Sequence, residues 1–117
     1  MKFKLIIVLT QDELTDQVID AARARGATGS TVITSARGEG LNPKKTFMGL
    51  TLGGQRDMVL FLVEEHHART ILESIAEACG FEQNHGAGVA FMIDIEDVVG
   101  LTTQIGRIQE DISKEDL

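Results

Sequence analysis

The chain has 117 residues, room for one domain and not two, and 43% of them are hydrophobic, enough for a real core. With five phenylalanines and neither tryptophan nor tyrosine, that core is aliphatic. A net charge of −7 lacks the broad basic surface of nucleic-acid-binding proteins. No apolar run approaches the ~20 residues of a membrane span, so direct membrane insertion is not expected. The single cysteine, Cys79, permits no internal disulfide and suits a reducing cytoplasm.

In chain order, Lys2–Leu9 alternates, with Phe3, Leu5, Ile7 and Leu9 on one face and Lys2 and Lys4 on the other. It reads as a half-buried strand whose second face Ile6 and Val8 make partly apolar. The charged start and short apolar run of MKFKLIIVLT lack a small-residue cleavage site, which disfavours a signal peptide. Thr10-Gln11-Asp12-Glu13 matches a capping box, with the Thr10 hydroxyl and Glu13 carboxylate satisfying each other's amides. The helix after it puts Leu14, Val18, Ala21, Ala22 and Arg25 on one face. Gly26 is expected to stop it, since glycine accepts the left-handed geometry of a helix end. Ser30–Ala36, rich in β-branched residues, is the second strand.

Residues 37–56, RGEGLNPKKTFMGLTLGGQR, interrupt this regularity. They hold five of the twelve glycines and the only proline. Four bases against one acid leave the stretch at +3, so the rest of the chain carries −10. Twenty residues without periodicity inside a compact domain are usually functional or disordered, and the stretch reads as a flexible docking or ligand-sensing loop. Lys44 and Lys45 beside Phe47 and Met48 have the make-up of a docking hot spot. Arg37, Gly38 and Gly40 at its start are candidate contacts to a small anionic effector.

Met58–Val63 is a continuous apolar run, suited to a central strand. Ala68, Ile71, Leu72, Ile75, Ala76 and Cys79 recur at helical spacing, and Gly80 ends that helix. Phe81–Gly88 is a polar turn, and Val89–Ile95 the fourth strand. Glu96–Val99 is expected as a short helical turn, and residues 103–117 as a tail of the same 1–117 domain. The order β-α-β, loop, β-α-β predicts an α+β, ferredoxin-like fold. It has a four-stranded antiparallel sheet, two helices on one face, and the long loop between strands 2 and 3. Ile6, Val8, Val32 and Val59 are assigned to the bare sheet face, which an oligomer would bury.

The chain resembles the P-II signal-transduction proteins over roughly residues 2–103. The resemblance rests on KLIIVL, on GATGSTVIT, on the position of the loop, on VLFLVEEH and on GAGVAFMIDIEDVVGL. It implies a homotrimer that binds an adenine nucleotide (AMP, ADP or ATP) or another small anion between subunits. Gly29, Ser30 and Thr31, with Gly86, Ala87 and Gly88, are the matching contacts. The loop would dock a target protein, such as a membrane transporter or metabolic enzyme. Three family cations are missing: Val89 follows the G-x-G, and Gly100 and Thr102 occupy the family's arginine positions. The modifiable loop tyrosine is missing too. Fewer cations weaken the charge complement for a triphosphate.

The competing readings are weaker. A metal-related or structural trimer like the divalent-cation-tolerance proteins needs a ligand cluster. His66, His67 and His85 lack ligand spacing, because neighbours i and i+1 do not face each other on a helix. No metal site is therefore expected, and Glu64, Glu65, Glu96 and Asp97 read as helix N-terminal acids. An acylphosphatase-type enzyme needs an arginine-bearing anion loop after the first strand, and here that turn is acidic. No nucleophile has a recognisable base, and no GxxxxGK[ST] loop is present. The expectation is a non-enzymatic cytoplasmic regulator with no catalytic residue and no required cofactor.

Overall fold

The computed structural model describes residues 2–34, 46–47, 50–51, 56–84 and 86–101. Strand β1 (Phe3–Gln11) leads through a 3-10 turn, Asp12–Leu14, into helix α1 (Thr15–Ala24). Strand β2 (Thr31–Ile33) follows, then the short pair β3 (Thr46–Phe47) and β4 (Leu50–Thr51). Strand β5 (Arg56–Glu64), helix α2 (Glu65–Cys79) and strand β6 (Gly88–Ile95) complete the order. The main sheet runs β2-β5-β1-β6, and every pairing in it is antiparallel. This is the expected ferredoxin-like arrangement. The two-residue pair β3–β4 inside the 37–56 loop is an addition to it, since nothing periodic in the sequence marks that pair.

Both helices stop where glycine permits it. Gly26 has φ +108° and Gly80 φ +66°. Around each, two bonds recapture the last carbonyls: Ala27 N–H to Ala22 O and Gly26 N–H to Arg23 O, then Phe81 N–H to Ala76 O and Gly80 N–H to Glu77 O. The start of α2 is held by Glu64, whose buried carboxylate accepts from the His66 amide at 2.7 Å. Glu64 and Glu65 thus are helix N-terminal acids, as expected.

The start of α1 departs from the expected capping box. Thr10 continues β1, fully buried, and its hydroxyl donates to the Ala87 carbonyl at 3.1 Å. No side chain caps either the 3-10 turn or α1. Pairing of β1 on both sides as far as Thr10 keeps that residue in extended backbone within the strand, so the local capping geometry does not form. α1 begins instead at Thr15, whose buried hydroxyl donates to Asp57 at 2.6 Å. Glu96–Val99 also departs from expectation. It is irregular, with the Val98 amide bonded to the Asp97 carboxylate at 3.0 Å. Strand β2 covers Thr31–Ile33 of the expected Ser30–Ala36, with Ser30 and Thr34 outside the pairing and Ser35 and Ala36 outside the described residues.

The core face of the sheet is the reverse of the one assigned from alternation. Ile6, Val8, Val59, Phe61 and Val63 are buried with Val18 and Ala22 of α1 and Ala68, Ile71, Ile75 and Cys79 of α2. Val32 packs partly against the same cluster. The face without helices carries Leu5, Ile7, Leu9, Leu60, Leu62, Phe91 and Ile93, in register with one another across β5, β1 and β6. Both faces of the central strands are apolar, so alternation defines two sets without saying which one the helices cover. A shift of one residue exchanges them. On α1 the buried stripe is Thr15, Val18 and Ala22, while Arg25 is exposed.

Candidate functional site

Three strand ends and one turn converge at one end of the sheet. Gln11 pairs with Arg56 across β1 and β5, and Thr10 pairs with Gly88 across β1 and β6. The turn from Gly80 to Gly88 folds on itself first: Gln83 and Asn84 amides bond to Gly80 O at 3.2 and 2.9 Å, and Ala87 N–H to Asn84 O at 3.1 Å. It is then stitched to the sheet. The Ala87 carbonyl accepts from the Gln11 amide at 3.2 Å and from the Thr10 hydroxyl. The Gly86 carbonyl accepts from Arg56 Nη1 at 2.8 Å. The described part of the turn is therefore tied to the sheet through the Gly86 and Ala87 carbonyls.

The two glycines of Gly86-Ala87-Gly88 differ in role. Gly86 has φ +79°, and no described residue lies within 4 Å of where its side chain would stand. Gly88 is there for packing. A Cβ on it would lie 2.5 Å from the Phe81 ring and 2.8 Å from the Leu9 carbonyl oxygen. Gly88→Ala is expected to destabilise the protein by about 1–3 kcal/mol through overpacking against backbone, read as a lower urea midpoint at unchanged m. The Ala87 amide is engaged by the Asn84 carbonyl, which leaves Gly86 as the glycine of the pair with space beside its backbone among the described residues.

Gly29, Ser30 and Thr31 lie elsewhere. They are exposed at the start of the edge strand β2, where Thr31 pairs with Leu60. Gly29 does not have a positive φ, so left-handed geometry is not why glycine stands there. Gly29 and Ser30 line a recess of about 30 Å³ with Ile19, Arg23, Ala27 and Phe61. Ligand pockets usually measure ~300–1,000 Å³, so this recess by itself takes no nucleotide. Its edge of the sheet is opposite to that of β6, three strand spacings or about 14 Å away. One chain does not bring Gly29–Thr31 and Gly86–Gly88 together.

Arg37, Gly38, Gly40, Lys44, Lys45 and Met48 lie outside the described residues. Phe47 is in β3, paired with Leu50. On the helix side of the Gly80–Gly88 turn, Gln11, Glu13, Leu14, Cys79, Asn84 and Ala87 line an open groove of about 440 Å³. Its one charged residue among the described ones, Glu13, is an acid, which does not suit an anion. Burial pushes the Cys79 thiol up from its ordinary pKa, so it stays protonated and inert there. Away from the site, Lys4 bonds to Asp94 at 2.6 Å and holds that exposed carboxyl below its usual range.

Among the described residues, Glu64, Glu65 and His66 place ligand atoms within 4.8 Å of one another. Glu64 is already committed to the α2 cap, with His66 Nδ1 2.5 Å from its second oxygen. His66 is largely exposed and His67 buried, so the two rings diverge as adjacent helical positions should.

Two residues of the site have no mark in the sequence. Arg56 reads there as the end of the loop, yet it opens β5 and is 8% exposed. Thr10 reads as a helix cap. Neither carries a local signal of its place, since both roles come from the turn 30 and 77 residues further on.

The chain matches nitrogen regulatory protein P-II over residues 3–104 and belongs to that family. It therefore falls in a class of signalling regulators built on this sheet and loop. Solved structures agree at the level of the fold. A PII-like signalling protein from Thermus thermophilus is 23% identical, with 81% of this chain and 88% of that one covered and a TM-score of 0.59. The CPII protein of Thiomonas intermedia, bound to ADP, AMP and acetate, is 18% identical, with 86% and 92% covered and a TM-score of 0.62. No curated protein matches the sequence. Among the described residues, no helix is long and apolar enough to cross a membrane.

Proposed function

We propose that this chain is a non-enzymatic cytoplasmic regulator acting as a homotrimer. It binds an adenine nucleotide, or another small anion, in clefts between subunits. Binding changes the conformation of loop 37–56, which docks a target protein through Lys44, Lys45, Phe47 and Met48. The carrying observation is the separation of the two candidate stretches on opposite edges of one sheet. A second copy can bring its Gly29–Thr31 edge to the Gly86–Gly88 turn of the first. The helix-free face supplies apolar surface for such an assembly, with Ile33 48% and Ile93 47% exposed. Family membership and the CPII relative bound to ADP and AMP support an adenine nucleotide as the ligand.

The missing cations bear on which nucleotide. Val89, Gly100 and Thr102 offer no charge to phosphate, so each added phosphate brings less binding energy than charge-assisted contacts would supply. Calorimetric titration with AMP, ADP and ATP is expected to give saturable heat with at least one of them, at one site per subunit. AMP should bind at least as tightly as ATP. Absence of heat with all three, with and without magnesium, would overturn the reading.

A further inference from the structure

We infer that a cleft at the far end of the sheet binds a small basic amino acid, a guest with one carboxylate and two cationic groups. The cleft measures about 350 Å³, within the ~300–1,000 Å³ of ligand pockets. It is built from the start of β1, the end of β6 and the first residue of α2, and its charged lining is Lys2, Lys4, Glu65, Asp94 and Glu96. The paired run from Phe3 to Thr10, roughly 24 Å of β1, separates it from the Gly80–Gly88 turn. Its walls are held by backbone. Lys4 pairs with Asp94 across β1 and β6, and the Glu65 amide donates to the Lys2 carbonyl at 3.0 Å, which fastens the start of α2 to the start of β1. One chain supplies this whole lining, so the site does not depend on the proposed nucleotide cleft between copies.

The charges select the guest. Lys4 and Asp94 are bonded to each other at 2.6 Å and largely cancel. Lys2 stands near enough to add its pull on the Asp94 carboxyl to that of the Lys4 bond. The remaining lining charges are one ammonium, Lys2, and two carboxylates, Glu65 and Glu96, and all three residues are exposed to an incoming molecule. A carboxylate on the guest answers Lys2, and two cations answer the two acids, each by a charge-assisted contact. A basic α-amino acid in its ordinary ionic form carries that set. Phosphates and dicarboxylates meet an excess of acid, and a bare divalent cation meets two ammonium groups, so like charges oppose both. A plain amine leaves Lys2 unanswered.

The test titrates the isotope-labelled full chain with L-lysine and follows its amide chemical shifts, with L-glutamate and n-butylamine as comparison probes. L-Lysine should bind saturably, with an affinity on the order of millimolar because exposed charges are screened. The shifts should gather at Lys2–Lys4, Glu65 and Asp94–Glu96 and spare Gly86–Gly88. n-Butylamine should bind at least about threefold more weakly, and L-glutamate more weakly still. Glu96→Gln should weaken L-lysine by about threefold or more. Lys2→Gln should weaken L-lysine to a similar extent while n-butylamine binds as well as before or better, a split that a general loss of structure does not produce. Both side chains are exposed, so both variants are expected to fold. Absence of saturable shifts with L-lysine overturns the assignment, and so do shifts that gather elsewhere. Equal binding of L-glutamate, or wild-type L-lysine affinity in both variants, overturns it as well.

Discussion

Phe61→Ala should destabilise the protein by about 3–5 kcal/mol, as truncations of fully buried aromatic side chains do. Phe61 is 1% exposed and heads the fully buried side chains in size. It lies on β5 opposite Ile6, inside the cluster shared by both helices. Lost transfer energy and a residual cavity then add. The change is a large share of the ~5–15 kcal/mol that holds a typical domain together. Urea denaturation at one fixed protein concentration checks it, since assembly makes apparent stability concentration-dependent. A loss below about 1 kcal/mol would mean that the sheet face assigned to the core is wrong.

Ile7→Asp acts on the opposite face and should abolish assembly without unfolding the chain. Ile7 is at the centre of the helix-free face, between Leu60 on one side and Phe91 on the other. A carboxylate there is solvated in a single chain. Against a second apolar face it is a buried, unpaired charge, and that cost exceeds what one interface position contributes. Native mass spectrometry should change from three chains to one, with the helical circular dichroism retained. Under the proposed assembly, nucleotide binding should go with the trimer, because each cleft would be built from two copies. A wild-type protein with the mass of one chain would overturn the trimer before the variant is made. An Ile7→Asp protein that stays trimeric would place the interface elsewhere.

These two predictions turn on a distinction that alternation leaves open. The apolar runs at Phe3–Leu9 and Met58–Val63 identify two central strands, yet both strands are apolar on both faces. Ile6, Val8 and Val59 are the core, and Leu5, Ile7 and Leu60 are the helix-free face. The helices choose between the sets by docking. The capping box at Thr10–Glu13 fails for a related reason. Strand pairing carries Thr10 to the Ala87 carbonyl and overrides the short-range pattern. Arg56 likewise reads as one more loop base until β5 places it against Gly86.

What the sequence determined by itself is local and repetitive. The period of α2, the glycine stops at Gly26 and Gly80, the glutamates at the start of α2, and the order of strands and helices all follow from neighbours within a few residues. The concentration of positive charge in 37–56 is likewise a property of composition. The tertiary structure decided which face of the sheet is core and which is free. It also decided that Gly88 is a packing glycine while Gly86 is open, and that Gly29–Thr31 and Gly86–Gly88 stand at opposite edges. The sheet face and the separation of the two stretches depend on contacts between residues tens of positions apart, and Gly88 meets the Leu9 carbonyl as well as the nearby Phe81. Their energies are settled only when the whole sheet has closed, which no short window of the sequence contains.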